Sequence, residues 1–162
     1  MEADVFAPFG MRDTGLDHND KILANRALGY EYEKGSWTPA AYVSMTVPYA
    51  AGSLTSTIDD MLRWDRALDT DRLIGPSLRQ AMFTNHGGGY GFGWGIGGLS
   101  AIRVQFHTGA ISGFHAIHCR YPDHKLTIIV LANVWTGFLA ERIANDLASS
   151  HLGMLGWLPR RC

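Results

Sequence analysis

The chain has 162 residues, of which 46% are hydrophobic and 18% are charged, and its formal net charge is -1. This size and composition fit one globular domain or part of a larger one, and they exclude an intrinsically disordered chain. Phosphate binding needs clustered Lys and Arg, and the chain has no basic block, so we expect no nucleic-acid partner.

The sequence carries no targeting or disulfide signal. No apolar run approaches the roughly 20 residues that span a bilayer, so we expect no membrane span. The N-terminal Met1-Glu2-Ala3-Asp4 is acidic where a signal peptide would be basic. Two cysteines, Cys119 in a strand-like run and Cys162 at the last residue, are too few for a disulfide framework. A periplasmic and a cytoplasmic parent protein are left as alternatives.

Residues 1–55 are predicted to be a loop-rich region. Pro8 and Gly10 stop any helix near the N-terminus, and turn residues are frequent from Asp13 to Pro48. Within this region only Tyr30 to Tyr32 favours a strand. A loop this long in a compact domain is typically functional or belongs to a larger body.

Residues 56–85 are predicted to form two helices. Ser56 is the expected N-cap of the first, with Asp59 three residues later. Pro76 starts the second, over Ser77 to Phe83. The spacing of four apolar residues predicts that they form the buried face of the first helix: Ile58, Met61, Leu62 and Leu68, with Asp59, Asp60, Arg63 and Arg66 off that face.

Residues 86–162 are predicted to form a sheet and a C-terminal helix. In Gly87 to Gly98, aromatic residues alternate with glycines, which favours a strand that something approaches closely. Three more strands are expected, the last two joined by a tight turn at residues 122–125: Ile102 to His107, Phe114 to Tyr121 and Leu126 to Ala132.

The last two elements complete the predicted fold. The run from Leu126 to Leu131 is nearly continuously apolar, as in a strand buried on both faces. A helix from Gly137 to His151 carries Leu139, Ile143 and Leu147 on one stripe. The predicted class is α+β: an antiparallel sheet of about four strands with a C-terminal helix packed on it, preceded by the loops and two helices.

The segment His107-Thr108-Gly109 begins at the end of one predicted strand and precedes the next. A basic or imidazole residue, a hydroxyl and a glycine at a strand edge resemble the K-T-G wall of penicillin-recognising serine enzymes. Five further segments occur in the order of that family: Pro8-Phe9-Gly10-Met11 with Asp13-Thr14-Gly15, Ala24-Asn25-Arg26-Ala27 with Gly29-Tyr30, Ala51 to Asp60, Tyr90-Gly91-Phe92-Gly93-Trp94, and Val130-Leu131-Ala132-Asn133.

Together these segments resemble the C-terminal half of the serine β-lactamase and penicillin-binding-protein superfamily, in its class C β-lactamase-like branch. The resemblance implies a partial β-lactamase/transpeptidase-like fold, with residues 1–162 as the C-terminal portion of that domain. It also implies a serine hydrolase that cleaves an amide, ester or peptide through an acyl-enzyme.

The family's nucleophile motif, Ser-x-x-Lys, is absent, because no serine here has a lysine three residues later. Its second motif, Tyr-x-Asn or similar, lies upstream of the Pro8 segment in the family. Tyr42-Val43-Ser44 has matching letters but lies downstream, so we interpret it as chance. We therefore expect no catalytic residue in this chain and no activity from the chain alone.

The resemblance implies substrate-binding roles for four consecutive residues. His107 and Thr108 would bind a substrate carboxylate, Gly109 would let substrate approach, and Ala110 would offer a backbone N–H to the acyl oxygen. Histidine in place of lysine weakens carboxylate recognition, since imidazole is charged only part of the time near neutral pH. Ser112 has two interpretations: it faces the cleft, or it caps the turn toward Gly113.

No metal or cofactor is expected. His115 and His118 point to opposite faces if they lie on a strand, so they cannot chelate one ion. Gly87-Gly88-Gly89 lacks the Lys-Ser or Lys-Thr of a phosphate loop.

Two functional hypotheses follow. The first is a fragment of a β-lactamase-like serine hydrolase. The alternative is a non-catalytic remnant, or a binding or self-associating module. Self-association, or pairing with a missing N-terminal half, is one of these alternatives, because without that half the sheet would expose an edge and an apolar face.

Overall fold

The computed structural model describes residues 1–99 and 102–153. Its α-helices are α1 (Tyr49–Gly52), α2 (Ile58–Leu68), α3 (Pro76–Met82) and α4 (Leu139–Leu152). Its strands are β1 (Gly15–Leu16), β2 (Tyr30–Glu33), β3 (Ser36–Pro39), β4 (Leu54–Thr55), β5 (Gly95–Leu99), β6 (Ile102–Ile111), β7 (Phe114–Tyr121), β8 (Leu126–Ala132) and β9 (Val134–Trp135). In these two ranges, no helix combines the length and the apolar character needed to cross a membrane.

The main sheet has four antiparallel strands in the order β5-β6-β7-β8. Helix α2 packs on one face of this sheet and α4 on the other, which confirms the predicted α+β class. The bounds of β7 and β8 are those predicted, whereas β6 continues four residues beyond His107, to Ile111. Helix α3 begins at Pro76 and ends at Met82.

The face of the sheet under α4 holds the apolar core. Val104, Ile117 and Cys119 are buried there against a stripe of alanines on α4, namely Ala140, Ala144 and Ala148. The predicted sheet-facing stripe of Leu139, Ile143 and Leu147 is therefore wrong, since Ile143 is 38% and Leu147 is 53% exposed. Alanines let the helix backbone come close to the strands, and this turns the larger side chains outward.

The opposite face of the sheet meets the polar side of α2. The N-cap is Thr57, not Ser56, and its hydroxyl oxygen accepts a hydrogen bond from the backbone N–H of Asp60 at 3.2 Å. Leu68 is fully buried and Met61 and Leu62 are half-buried, as predicted, but Ile58 is 47% exposed and Asp60, predicted off that face, is buried. Hydrogen bonds of the two buried aspartates, together with the burial of Ala67 and Leu68, hold this helix against its neighbours.

Asp60 fastens α2 to the loop that precedes β1. One of its carboxylate oxygens accepts from the backbone N–H of Asp13 and from the hydroxyl of Thr14, each at 2.8 Å, and the other accepts from Arg63 at 2.7 Å. Burial alone raises the pKa of Asp60, but these hydrogen bonds outweigh it and hold that pKa below its usual value. The carboxylate therefore stays charged at neutral pH.

The glycine-rich run is a loop for most of its length, because only residues 95–99 are a strand. Gly87, Gly88, Gly89 and Gly93 have positive φ angles, which an extended strand does not accommodate. Asn85 Oδ1 closes the loop by accepting hydrogen bonds from the backbone N–H groups of Gly87 and Gly89. The expected close approach does occur at Gly95, where a Cβ would lie 2.6 Å from the Phe106 ring.

The loop-rich region contains a small second sheet in the order β3-β2-β9. Strands β2 and β3 form a hairpin, and β2 pairs in parallel with β9, which follows β8 in the chain. The predicted strand at Tyr30 to Tyr32 is confirmed, and it extends to Glu33. This second sheet lies next to the β6–β7 turn, because Gly29 and Gly113 are in backbone contact.

The close contact between Gly29 and Gly113 predicts that a side chain at residue 113 destabilises the fold. A Cβ on Gly113 would lie 2.3 Å from Ala40 Cβ and 2.8 Å from Gly29 Cα, and the φ of Gly113 is +73°. We expect Gly113→Ala to lower the free energy of unfolding by about 3 kcal/mol, from backbone strain plus overpacking. Gly137→Ala is the matched control, since its φ is +66° but no atom lies within 4 Å of its Cβ position. Gly137→Ala should lower the free energy of unfolding by about 1 kcal/mol, with both variants measured by urea denaturation. Equal decreases for the two variants would contradict the close contact between Gly29 and Gly113.

Candidate functional site

Strand β6 has an open edge along its second half. β5 pairs with β6 only as far as Gly95 opposite Phe106, whereas β7 pairs with β6 through Ile111. Within residues 1–99 and 102–153, no strand covers the β5 side of residues 107–111. Four of the five residues with predicted binding roles lie on this edge: His107, Thr108, Gly109 and Ala110.

The hairpin turn decides which backbone groups face the open edge. Ser112 and Gly113 form a two-residue turn, and Ile111 is opposite Phe114. The residues that flank a two-residue turn form a hydrogen-bonded pair, so the backbone of Ile111 faces β7. Because this direction alternates along an antiparallel strand, Thr108 and Ala110 turn their N–H and C=O groups toward the open edge.

The side chains alternate as well. His107 is opposite His118 and Gly109 opposite Ala116, on the α2 face, whereas Thr108 is opposite Ile117 on the α4 face. His107 and Gly109 are exposed, and no atom lies within 4 Å of a Cβ position on Gly109. Space for a ligand backbone is therefore present at the middle of the edge.

The glycine-rich loop supplies an aromatic wall where β5 begins. Tyr90 is 45% exposed, and its ring meets the ring of His107 edge-on, with centroids 6.2 Å apart. Phe92 is 63% exposed and lies against His86, at a centroid distance of 4.6 Å. The backbone N–H of Ile96 donates to Gly89 C=O at 2.7 Å, which anchors the loop to β5.

Ser112 is engaged in a tether between the two sheets. Its hydroxyl lies 2.8 Å from Glu31 Oε1 on β2 and 3.1 Å from the carbonyl oxygen of Ala41. These contacts hold the β6–β7 turn to the loop that follows β3. The hydroxyl thus belongs to the far end of the open edge and already has protein partners.

His115 and His118 lie on opposite faces of the sheet. His115 Nε2 is 3.0 Å from Glu141 Oε1 on α4, and His118 Nε2 is 2.8 Å from Asp65 Oδ1 on α2. Across the described parts of the chain, no three His, Cys, Asp or Glu side chains are grouped to hold a metal ion.

The cysteine in β7 does not replace the absent serine. Burial, together with the charge of Glu141, raises the pKa of the Cys119 thiol to about 12, so it is protonated at neutral pH. A thiol in that state is a poor nucleophile. Cys162 lies outside the described residues.

A buried polar cluster behind the open edge was not predicted. Asp65 Oδ1 accepts from His118 Nε2 and from Arg120 Nε at 2.7 Å, and Asp65 Oδ2 accepts from the Thr127 hydroxyl at 2.9 Å. Arg120 also donates to Asp69 at 2.5 Å. The signal in the sequence was alternation, since His118 and Arg120 share one face of β7 and a buried arginine there requires an acidic partner.

The partners of Asp65 keep its carboxylate charged. Burial on its own raises the pKa of Asp65, but the hydrogen bond from His118, the charge of Arg120 and the hydrogen bond from Thr127 together hold it below its usual value. The Trp94 ring packs edge-on against His118 with centroids 5.1 Å apart. His118 is thereby fixed directly beside His107, its cross-strand neighbour.

Comparison with known proteins gives consistent matches. The Beta-lactamase family model matches residues 1–151. Penicillin-binding protein 4* of Bacillus subtilis is 28% identical over 153 residues, covering 82% of this chain and 34% of that protein. A D-aminopeptidase of Cereibacter sphaeroides is 26% identical over 157 residues, covering 92% and 30%.

Solved structures agree in fold. A penicillin binding protein from Bacillus halodurans superposes with a TM-score of 0.77 at 26% identity, over 94% of this chain and 48% of that one. A D-amino acid amidase from Ochrobactrum anthropi gives 0.73 at 22% identity, over 90% and 47%, which shows likeness of fold alone. The chain thus spans 34% and 30% of the two curated relatives and 48% and 47% of the two solved chains.

Proposed function

The chain belongs to the Beta-lactamase family, and on that premise we propose that it forms one wall of the substrate cleft of a serine hydrolase. The proposed reaction is cleavage of an amide, ester or peptide bond through an acyl-enzyme. The observation that carries the proposal is the open edge of β6, where the backbones of Thr108 and Ala110 face outward beside Gly109.

The edge suits an extended substrate backbone. A peptide or acyl-amide that lies along residues 107–111 would add to the sheet as a further strand, with main-chain hydrogen bonds to β6. In this arrangement the N–H of Ala110 donates to the carbonyl oxygen of the scissile bond, and it stabilises the negative charge that develops there. Because Gly109 has no side chain, the substrate backbone can come close to β6 at this position.

The side chains at the start of the edge orient the substrate. The His107 imidazole donates a hydrogen bond to a substrate carboxylate or carbonyl, with its ring held by contact with Tyr90. The Thr108 hydroxyl is a second donor on the other side of the strand. We assign Ser112 to the tether with Glu31 and Ala41 rather than to substrate contact.

The nucleophile belongs to a part of the fold that these 162 residues do not contain, since they include no Ser-x-x-Lys. We propose that residues 1–162 are the C-terminal portion of a β-lactamase-like domain and do not turn over substrate alone. The same observation favours a second candidate, a non-catalytic binding module that keeps the cleft wall. The two differ in whether adding the missing part yields turnover.

Relatives suggest a substrate class for the first test. Two relatives are named D-aminopeptidase and D-amino acid amidase, and the amidase has been solved in complex with L-phenylalanine amide and with D-phenylalanine. We therefore propose an amino-acid amide or a short peptide as the ligand of the β6 edge. D-phenylalanine amide is the probe of choice.

We expect D-phenylalanine amide to bind the isolated chain weakly, at about millimolar concentration, because half of the cleft is missing. In an NMR titration the amide signals of residues 107–111 should move. Gly109→Val should weaken binding at least about tenfold, since its side chain occupies the edge. Gly15→Val is the control, because Gly15 also lies in a strand with no atom within 4 Å of its Cβ position. Shifts that are unchanged in Gly109→Val, or that cluster elsewhere, would exclude this binding edge.

A further inference from the structure

The far end of the open β6 edge carries a carboxylate without a cationic partner. Glu31 on β2 is half-buried, and its Oε1 accepts a hydrogen bond from the Ser112 hydroxyl at 2.8 Å. Within residues 1–99 and 102–153, Glu31 is in no ion pair and its Oε2 accepts no hydrogen bond. A charge that is partly removed from water and left unpaired is costly, so Glu31 is suited to a cationic ligand.

Both sheets hold this carboxylate in place. Glu31 lies in the middle strand of the second sheet, between β3 and β9. The Ser112 hydroxyl has a single proton, and it contacts the carbonyl oxygen of Ala41 at 3.1 Å as well as Glu31. The tether therefore orients the carboxylate but compensates its charge only in part, which leaves Oε2 for a further donor.

The pairing geometry of Ala110 determines where the amino group of a bound substrate lies. Because Ala110 turns both its N–H and its C=O toward the open edge, a substrate residue that pairs antiparallel with it exchanges two hydrogen bonds. The carbonyl oxygen of the scissile bond accepts from the Ala110 N–H, and the nitrogen of the same substrate residue donates to the Ala110 C=O. Along β6 the C=O of Ala110 is on the side of Ile111, so this nitrogen is directed toward the hairpin turn and away from His107.

Glu31 is within reach of that nitrogen. Ala110 and Ser112 are two residues apart, so their Cα atoms are at most about 7 Å from each other. The substrate nitrogen, about 2.9 Å from the Ala110 carbonyl oxygen, lies between Ala110 and the turn, where the Glu31 carboxylate contacts Ser112. An ammonium group has three N–H donors, so it can bind the Ala110 carbonyl oxygen and Glu31 Oε2 together.

We propose that Glu31 binds the α-ammonium group of the substrate and thereby selects amino-acid amides with a free amino group over amides that lack one. A substrate without the ammonium group can still accept a hydrogen bond from the Ala110 N–H, but it gains nothing from Glu31. The inference rests on the proposed function, because it uses the same edge and the same substrate orientation. It adds a contact for a substrate cation at the end of the edge opposite to His107.

An NMR titration of the purified chain with two amides tests the role of Glu31. D-phenylalanine amide carries the ammonium group, and 3-phenylpropanamide is the same molecule without it. For the wild type at low ionic strength, we expect D-phenylalanine amide to bind about fivefold more tightly. In Glu31→Gln the difference should fall below about twofold, with the affinity for 3-phenylpropanamide unchanged, because a glutamine oxygen still accepts from Ser112.

Glu33→Gln is the matched control, because it removes the same charge from the same strand. Glu33 is an exposed carboxylate on the same face of β2, nearer the hairpin tip, whereas the bond to Ser112 is made by Glu31. The preference for D-phenylalanine amide should therefore stay at about fivefold in Glu33→Gln. Circular dichroism confirms that each variant is folded.

The outcomes separate this inference from the proposed function. If both amides move the signals of residues 107–111 but bind the wild type equally well, the role of Glu31 is overturned and the β6 edge remains the binding site. The same holds if Glu33→Gln lowers the preference as much as Glu31→Gln does. If neither amide moves those signals, the proposed binding edge and the role of Glu31 are both overturned.

Discussion

Replacing Asp65 with alanine is expected to lower the free energy of unfolding by about 3–5 kcal/mol. The side chain of Asp65 is 8% exposed and that of Arg120 is 6% exposed, so the ion pair between them is removed from water. Without Asp65, Arg120 retains only Asp69 as a carboxylate partner, and His118 and Thr127 lose their acceptor. A buried cation without full compensation is among the costliest defects a fold can contain.

Asp69→Ala is the matched control. Asp69 binds the same guanidinium, but its side chain is 68% exposed, so its loss should cost less than about 1 kcal/mol. Urea denaturation followed by tryptophan fluorescence measures both, and Trp94 reports directly because its ring packs on His118. Similar decreases in the free energy of unfolding for the two variants would show that burial does not determine how much this cluster stabilises the fold.

The same cluster predicts how stability depends on pH. Burial works against the charged carboxylate, but the hydrogen bond from His118 and the charge of Arg120 hold the pKa of Asp65 below its unfolded value of about 3.9. A depressed pKa stabilises the fold above the unfolded pKa, and this contribution is lost as the pH falls through the folded pKa. The free energy of unfolding of the wild type should therefore decrease as the pH falls through the acid range. In Asp65→Asn it should decrease less steeply.

The sequence correctly predicted the order of α2, α3, β6, β7, β8 and α4, because their signals are local. β7 and β8 alternate or run apolar between clear turn residues, and both strands have the predicted bounds. β6 continues to Ile111 because a two-residue turn at Ser112 and Gly113 returns the chain immediately. That extension is a property of the hairpin, and the residues of β6 alone do not reveal it.

Helix faces were predicted less well, because apolar periodicity assumes that the buried face is the most apolar one. On α4 the alanine stripe is buried and Ile143 and Leu147 are exposed, since close approach to the sheet favours small side chains. On α2 the buried residues include two aspartates, Asp60 and Asp65, each neutralised by partners that are distant in sequence. Only the tertiary structure brings those partners together.

The candidate site shows the same division. The resemblance placed His107, Thr108, Gly109 and Ala110 at a strand edge, and the structure has them on one. Their roles with substrate remain proposals. The direction of the Ala110 backbone, the Tyr90 contact and the partners of Ser112 depend on the turn, the glycine loop and the second sheet, which the sequence pattern did not predict.

We expect the 162-residue chain to show no turnover of nitrocefin, p-nitrophenyl esters or D-phenylalanine amide. Loss of the nucleophile in a serine hydrolase lowers kcat on the order of a millionfold, because acyl transfer has no covalent route without it. The oxyanion donor proposed at Ala110 would remain, but a donor acts only on charge that an attacking group creates. The buried Cys119, with its thiol pKa raised to about 12, offers no substitute.

Adding the missing part separates the two candidate functions. A polypeptide that carries Ser-x-x-Lys and Tyr-x-Asn can be joined in frame before Met1. Turnover by the joined protein that is lost in Gly109→Val but kept in Gly15→Val would support the cleft wall of a hydrolase. Absence of turnover in a folded joined protein would favour the binding module.

Intact-mass spectrometry of the purified chain with a fluorophosphonate probe and with penicillin tests the central claim most directly, alongside the nitrocefin and ester assays. We predict that the mass stays unchanged over hours and that hydrolysis equals the buffer blank. A mass increase of one probe per chain, together with hydrolysis that the probe abolishes, would show a serine nucleophile within these 162 residues and contradict the account.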